Sequence, residues 1–394
     1  MSEPVLIAGE PDPYPRLARL REAGPFAYDP HDDVYFVVSY PAAMAFLRTA
    51  QVSRQAYVEK LICQYGRNAI LEAQKQELAF QDPPHHTTVK RLVMQVFTPA
   101  HLKVYRPRLQ EIVTLSLAAL PLEQPFDLLA NWAEPVPSQV LAELMGVPHQ
   151  RRSTLYEATR AIVAARGLTR TPEQLAAGNQ AVRQLAELFE ELCAQRRLQP
   201  QEDLITALLE AEDDGTRLDH ASLLSVLSSL YAAGFGNVRN LIGNGLVALL
   251  ARPDLVDLVR AQPQKWPAAI EEMLRFDAPT QATNPTQLLS DFVWEGHTLP
   301  AGARVAVYLA ACNRDGAHFA QADDFRLERH PNDHLSFSSF THFCPGAPLV
   351  RMQAELLLGG LLERYQVRVK GPLTWQRMNR FRGLEHLTVS LERV

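Results

Sequence analysis

The sequence predicts a mainly α-helical fold with small β-sheets, built as one large domain over residues 1–394, and three observations carry that expectation. The 28 prolines punctuate the chain but leave a gap from Pro200 to Pro253. Within it, Leu218–Leu250 is uninterrupted helical material rich in Leu, Ala and Val. A helix of about 30 residues spans about 45 Å, the width of a domain, so it should run through the core. Strand signals are short and clustered by contrast: Val34–Val38, Phe292–Trp294, Arg304–Leu309, Gln366–Val369 and Leu387–Leu391. No low-complexity linker or internal repeat divides the chain, and no segment looks able to close a core of its own.

In chain order, the other helices fall at Asp12–Ala23, Pro41–Thr49, Thr87–Val96, Pro99–Ala118, Pro137–Leu144, Pro172–Arg197, Pro253–Ala261, Trp266–Arg275 and Ala347–Glu363. Several open on proline, which suits the first helical turn because its missing N–H would be unpaired there anyway. The uncharged run Ala221–Val238 approaches the length of a membrane span. Its four serines, its asparagine and its two glycines, closed by Arg239, mark it as a core helix.

Composition narrows the function. With 47% apolar and 21% charged residues the chain is globular, not disordered. A net charge of −5 excludes a nucleic-acid binder that relies on bulk positive charge. The four cysteines Cys63, Cys193, Cys312 and Cys344 lie far apart, which excludes a disulfide scaffold and a four-thiolate zinc site and indicates a reducing compartment. Met1-Ser2-Glu3-Pro4 shows no basic-then-apolar signal pattern, so a cytoplasmic protein is expected, with no membrane association.

The chemistry concentrates in Phe337-Ser338-Ser339-Phe340-Thr341-His342-Phe343-Cys344-Pro345-Gly346-Ala347-Pro348-Leu349-Val350-Arg351. A turn-rich loop carries one cysteine straight into a helix. Unsatisfied amides and the positive end of the helix dipole stabilise a thiolate there, and a thiolate can bind a soft metal or serve as an axial ligand to haem iron. Standing alone, such a cysteine is more often a small buried residue in a loop. Phe337, His342, Cys344 and Gly346 change that balance, because the segment resembles the haem-binding signature of the cytochrome P-450 superfamily, Phe-x-x-Gly-x-His-x-Cys-x-Gly-x-x-x-Ala. Phe340 replaces the signature glycine, and Val350 stands where alanine is usual.

Two further motifs agree with it. Glu272 and Arg275, three apart on a helix, share a face and can pair; in Ala269–Pro279 they resemble the family's Glu-x-x-Arg helix. Asp82-Pro83-Pro84-His85-His86-Thr87-Thr88-Val89-Lys90-Arg91 resembles its Asp-Pro-Pro-x-His-Thr-Arg-Leu-Arg-Arg, with His86 and Lys90 on one helix face. The resemblance covers nearly the whole chain and identifies it as a member of the soluble bacterial type.

That resemblance implies the cytochrome P-450 fold, with haem b between a long distal helix and a proximal Cys-loop and helix. It implies Cys344 as the axial thiolate and metal ligand, His342, His86 and Lys90 as haem-propionate partners, and Phe337, Gly346 and Gly234 as further cofactor contacts. Glu272 and Arg275 become a structural pair, with Arg329 as a third member. The pocket would draw on Ala233, Phe235, Val238 and Thr283.

Two departures matter. The family's distal acid–alcohol pair, which relays protons during oxygen activation, is replaced by Gly236 and Asn237. These become the candidate catalytic positions, and Gly234 and Gly236 suggest a locally opened helix. Pro285 stands where related sequences place a propionate-binding arginine, and Thr88 and Lys90 also stand in place of arginines.

The function expected is that of a monooxygenase inserting one oxygen atom of dioxygen into a small organic substrate, by hydroxylation or epoxidation, in secondary metabolism. Electrons would come from NAD(P)H through a separate ferredoxin and ferredoxin reductase, with no reductase fused to the chain. Arg351, Lys103, Arg106 and Arg108 are candidate ferredoxin contacts. The substrate is a small molecule, free or carrier-bound, and the protein a monomer. One alternative is a peroxide-driven or non-oxygenating haem-thiolate enzyme, favoured by the loss of the acid–alcohol pair. A second is a non-catalytic haem or carrier-protein binding module, opposed by retention of Cys344, His342, Glu272 and Arg275.

Overall fold

Val34–Val38 is apolar at nearly every position, without period-two alternation, because the strand it forms is covered on both faces. In the computed structural model, which describes residues 4–166, 171–378 and 380–394, that strand spans Val34–Val37. It pairs antiparallel with Phe26–Asp29, Phe26 opposite Val37, and parallel with Arg304–Val307, Val305 opposite Tyr35. Arg304–Val307 pairs in turn with Thr286–Leu288. Val37, Val305 and Val307 enter one buried cluster with Phe46 and Phe292, whereas Phe36 and Ala306 enter another with Leu17 and Tyr308.

The chain divides into two compact units. The first comprises Met1–Val52, Gln110–Pro135 and Asn237–Val394. Besides the sheet just described, it holds Tyr365–Val369 paired antiparallel with Thr388–Arg393, which pairs with Phe126–Asp127. It also holds the helices Trp266–Phe276 and Ala347–Arg364. The second unit, Ser53–Leu109 and Val136–Gly236, is almost wholly helical. There Thr171 and Gln174 cap the helix Pro172–Leu198 reciprocally, each side chain accepting from the other's amide. Gly178 lets that helix approach Arg152–Ala165 closely: a Cβ at Gly178 would lie 2.5 Å from the Ala165 Cβ.

The long helix runs unbroken from His220 to Leu250, ending the second unit at Gly236 and re-entering the first at Asn237. By length and composition it could cross a membrane. Its stripe of Leu223, Leu227, Tyr231, Val238, Leu241, Leu246 and Leu249 is instead buried inside the protein. Within the first unit it packs tightly on Trp266–Phe276, since a Cβ at Gly245 would sit 2.7 Å from the Met273 Sδ.

One expected helix is two. Pro99–Ala118 divides into Pro99–Lys103 and Arg106–Ala118. Pro107 has no N–H for the Lys103 carbonyl and its ring would collide with it, so the chain turns at Val104-Tyr105 and restarts.

Candidate functional site

Cys344 is a half-buried thiol, in no disulfide, two residues ahead of Gly346, which caps the helix Ala347–Arg364. Its amide donates to the Phe337 carbonyl at 2.9 Å, and its carbonyl accepts from the Ala347 amide at 3.4 Å. These bonds fold the loop back on itself. Ser338 (φ 59°) and Phe340 (φ 51°) both lie in the left-handed region. Phe340 therefore holds a conformation that glycine adopts freely, at a cost of about 1 kcal/mol. A Cβ at Gly346 would lie 3.9 Å from the Cys344 Sγ, an ordinary van der Waals contact. His342 ends the single turn Phe340–His342 beside it.

Among the described residues no group of three or more His, Cys, Asp or Glu side chains could hold a metal ion alone. A lone thiolate ahead of a helix N-terminus fits an iron whose other ligands come from a macrocycle, which is the chemistry of haem-thiolate ligation.

Behind the loop lie two ion-pair networks. Glu272 and Arg275 are both 0% exposed, and Arg275 donates through Nε and Nη2 to the two carboxylate oxygens, each at 2.8 Å. Arg329 Nε reaches the same oxygens at 3.2 and 3.1 Å, and the Arg326 amide donates at 2.8 Å. The neighbouring Glu271 takes a fork from Arg351, at 2.6 and 2.7 Å. The Arg351 guanidinium lies 4.7 Å from the centre of the Phe337 ring. His334 Nδ1 accepts from the Ser336 amide, so its Nε2 carries the proton and donates to Glu271 at 3.2 Å. Burial pushes the Glu271 carboxyl up, but Arg351 and His334 outweigh it and hold it at about 2. Arg351 and Arg108, candidate ferredoxin contacts, are thus each engaged within their own unit, Arg351 by Glu271 and Arg108 by Glu143.

The two glycines of the long helix differ in purpose. The helix does not open at them. A Cβ on Gly234 would meet the Leu141 Cδ1 at 2.5 Å, so this glycine serves close packing, whereas one on Gly236 would meet nothing within 4 Å. Gly236→Ala is accordingly expected to stabilise the protein by up to about 1 kcal/mol through helix propensity. Gly234→Ala should cost about 1–3 kcal/mol through overpacking. Urea unfolding of both variants checks this, and equal effects would contradict it. One residue on, Asn237 Oδ1 accepts from the Thr280 hydroxyl at 3.4 Å. Thr280 falls in the segment Thr280–Pro285 that the resemblance assigns to the pocket, but its bond to Asn237 leaves no trace in the sequence. Val238 is fully buried in the core, and the Thr283 hydroxyl accepts from the Val307 amide at 3.0 Å, tying it to the sheet. Ala233 is exposed, and the Phe235 side chain lies outside the described residues.

In the second unit, His86 and Lys90 sit one turn apart on the helix His85–Val96. His86 is 1% exposed. Burial first, then the nearby charges of Lys90 and Arg54, push its imidazole down to about 4, so it is neutral at pH 7.

Known proteins agree with this geometry. The Cytochrome P450 family model matches residues 266–384, which include the Glu272 network and the Cys344 loop. The chain is 33% identical over 399 residues to cytochrome P450 monooxygenase PikC of Streptomyces venezuelae, covering 97% of this chain and 92% of that protein. It is 29% identical to the polyketide biosynthesis cytochrome P450 PksS of Bacillus subtilis, covering 97% and 96%. A solved structure of P450BioI with acyl carrier protein bearing hexadec-9Z-enoic acid superposes with a TM-score of 0.86 at 28% identity, covering 97% and 99%. The chain belongs to the cytochrome P450 family, oxidoreductases that work through a haem-thiolate iron fed with electrons by a separate redox protein.

Proposed function

We propose that this protein is a haem-thiolate monooxygenase that inserts one oxygen atom of dioxygen into a small organic substrate, by hydroxylation or epoxidation, in the tailoring of a secondary metabolite. The observation that carries the reading is the place of Cys344, a half-buried thiol on a folded-back loop ahead of a helix N-terminus. Similarity to PikC and PksS supports it. Similarity to the P450BioI complex supports a substrate delivered on an acyl carrier protein.

When bound, the haem supplies oxygen activation and atom transfer. The Cys344 Sγ would hold the iron, and His342, His86 and Lys90 would hold the haem carboxylates. NAD(P)H electrons arrive through ferredoxin and its reductase. Asn237 has a narrower task. Its carboxamide, oriented by the Thr280 hydroxyl that donates to Oδ1, would position a water. A carboxamide does not titrate near neutral pH, so protons pass through that water, completed by a polar group of the substrate.

Asn237→Ala is therefore expected to raise hydrogen peroxide released per NAD(P)H consumed much more than it weakens substrate binding. Asn237→Thr should keep most of the coupling, because a hydroxyl can hold the same water. Unchanged product per NAD(P)H in Asn237→Ala would remove Asn237 from the proton path. A peroxide-driven enzyme is the second reading, favoured by Gly236 and Asn237 standing where an acid and an alcohol are usual. Faster turnover with hydrogen peroxide than with NAD(P)H and ferredoxin would select it.

A further inference from the structure

Arg54 is the least compensated buried charge near His86. It is 7% exposed, its Nε has no hydrogen-bond partner, and its Nη1 donates only to the Ala79 carbonyl, at 3.1 Å. Asp82 is the one carboxylate that acts on it, and Asp82 is already spent. Its oxygens accept from the Ser53 hydroxyl at 2.6 Å, the Arg54 amide at 2.7 Å and the Gln55 amide at 3.4 Å, which fixes the start of the helix Gln55–Tyr65. Burial accordingly pulls the guanidinium down to about 10, with Asp82 offsetting only part of the effect. A buried cation left without its partner is among the costlier features a fold can carry, and a bound anion removes that cost.

The surroundings are positive as well. Arg54 and Lys90 both bear on His86, which is neutral at pH 7. Arg54 and Lys90 thus set positive charge beside an uncharged imidazole. A planar guanidinium with spare donors matches a carboxylate, which it can grip with two parallel N–H···O bonds.

We propose that Arg54 binds a propionate carboxylate of the haem, beside Lys90 and His86. This rests on the haem reading above.

The test is haem retention. Wild type, Arg54→Gln and Arg54→Lys are each loaded with haem or with haem dimethyl ester, whose carboxylates are blocked. Transfer of the porphyrin to excess apomyoglobin is then followed by absorbance. Loss of one charge-assisted contact should speed release of native haem from Arg54→Gln by at least about tenfold. Arg54→Lys should be intermediate, since it keeps the charge and loses the fork. With the dimethyl ester all three proteins should release at the same rate. Equal acceleration with haem and ester would make Arg54 a purely structural residue and overturn the proposal, as would native-haem release unchanged by the substitution. If Arg54→Gln does not fold, Arg54→Lys alone decides by the same comparison. Failure of the haem reading shows separately, as wild-type protein without a thiolate-type carbon monoxide band before any variant is compared.

Discussion

Glu272→Gln is expected to cost about 3–5 kcal/mol of folding stability, a large share of the 5–15 kcal/mol typical of a native protein. The reason is geometric. Glu272 is fully buried and its two oxygens serve two arginines, Arg275 and Arg329, plus the Arg326 amide and the Asn332 side chain. Arg275 in turn donates to the carbonyls of Asn313, Ala322 and Asp324, so one carboxylate ties its helix to two later segments. Glutamine keeps the shape but removes the charge, leaving two guanidinium groups facing each other without compensation. The adjacent Glu271 is the internal control. Its pair with Arg351 is partly exposed, at 27% and 37%, so Glu271→Gln should cost less, about 1–2 kcal/mol. Urea unfolding of the two variants measures the difference. Equal costs would mean that burial does not set the value of these pairs.

Much of this was readable in the sequence because it is local. Glu272 and Arg275 lie three apart, and Cys344 lies two residues from the helix cap, so motif spacing alone places them. The long helix was readable because no proline interrupts it and its apolar residues recur every three or four positions. The helices Gln55–Tyr65 and Arg152–Ala165 were missed for the opposite reason. The first buries only Val58 and Ile62, and the second buries mostly small residues such as Ala158, Thr159 and Ala165, so neither shows a strong apolar stripe. The partners of the site were hidden by distance along the chain. Thr280 meets Asn237 across 43 residues, Arg351 meets Glu271 across 80, and Asp82 lies 28 from the Arg54 amide it accepts from. None of these pairs leaves a periodic trace. Gly234 and Gly236 looked alike in sequence, and only packing against Leu141 separates them.

Cys344→Ala is expected to have the largest effect on function, abolishing thiolate ligation while the fold survives. The substitution removes only the Sγ atom. The Cys344 amide still donates to Phe337 and the Cys344 carbonyl still accepts from Ala347, so the loop has the same backbone bonds in the variant. Cys63, Cys193 and Cys312 offer no replacement. Cys63 is exposed on the helix Gln55–Tyr65, and burial raises the thiols of Cys193, to about 11, and of Cys312, far above the range in which a thiolate forms. The most direct test of the whole account is the carbon monoxide difference spectrum of the reduced, haem-loaded protein. The account predicts the red-shifted Soret band of thiolate ligation in wild type and its complete absence in Cys344→Ala at unchanged far-ultraviolet circular dichroism. The same band in both proteins, or in neither, would contradict it.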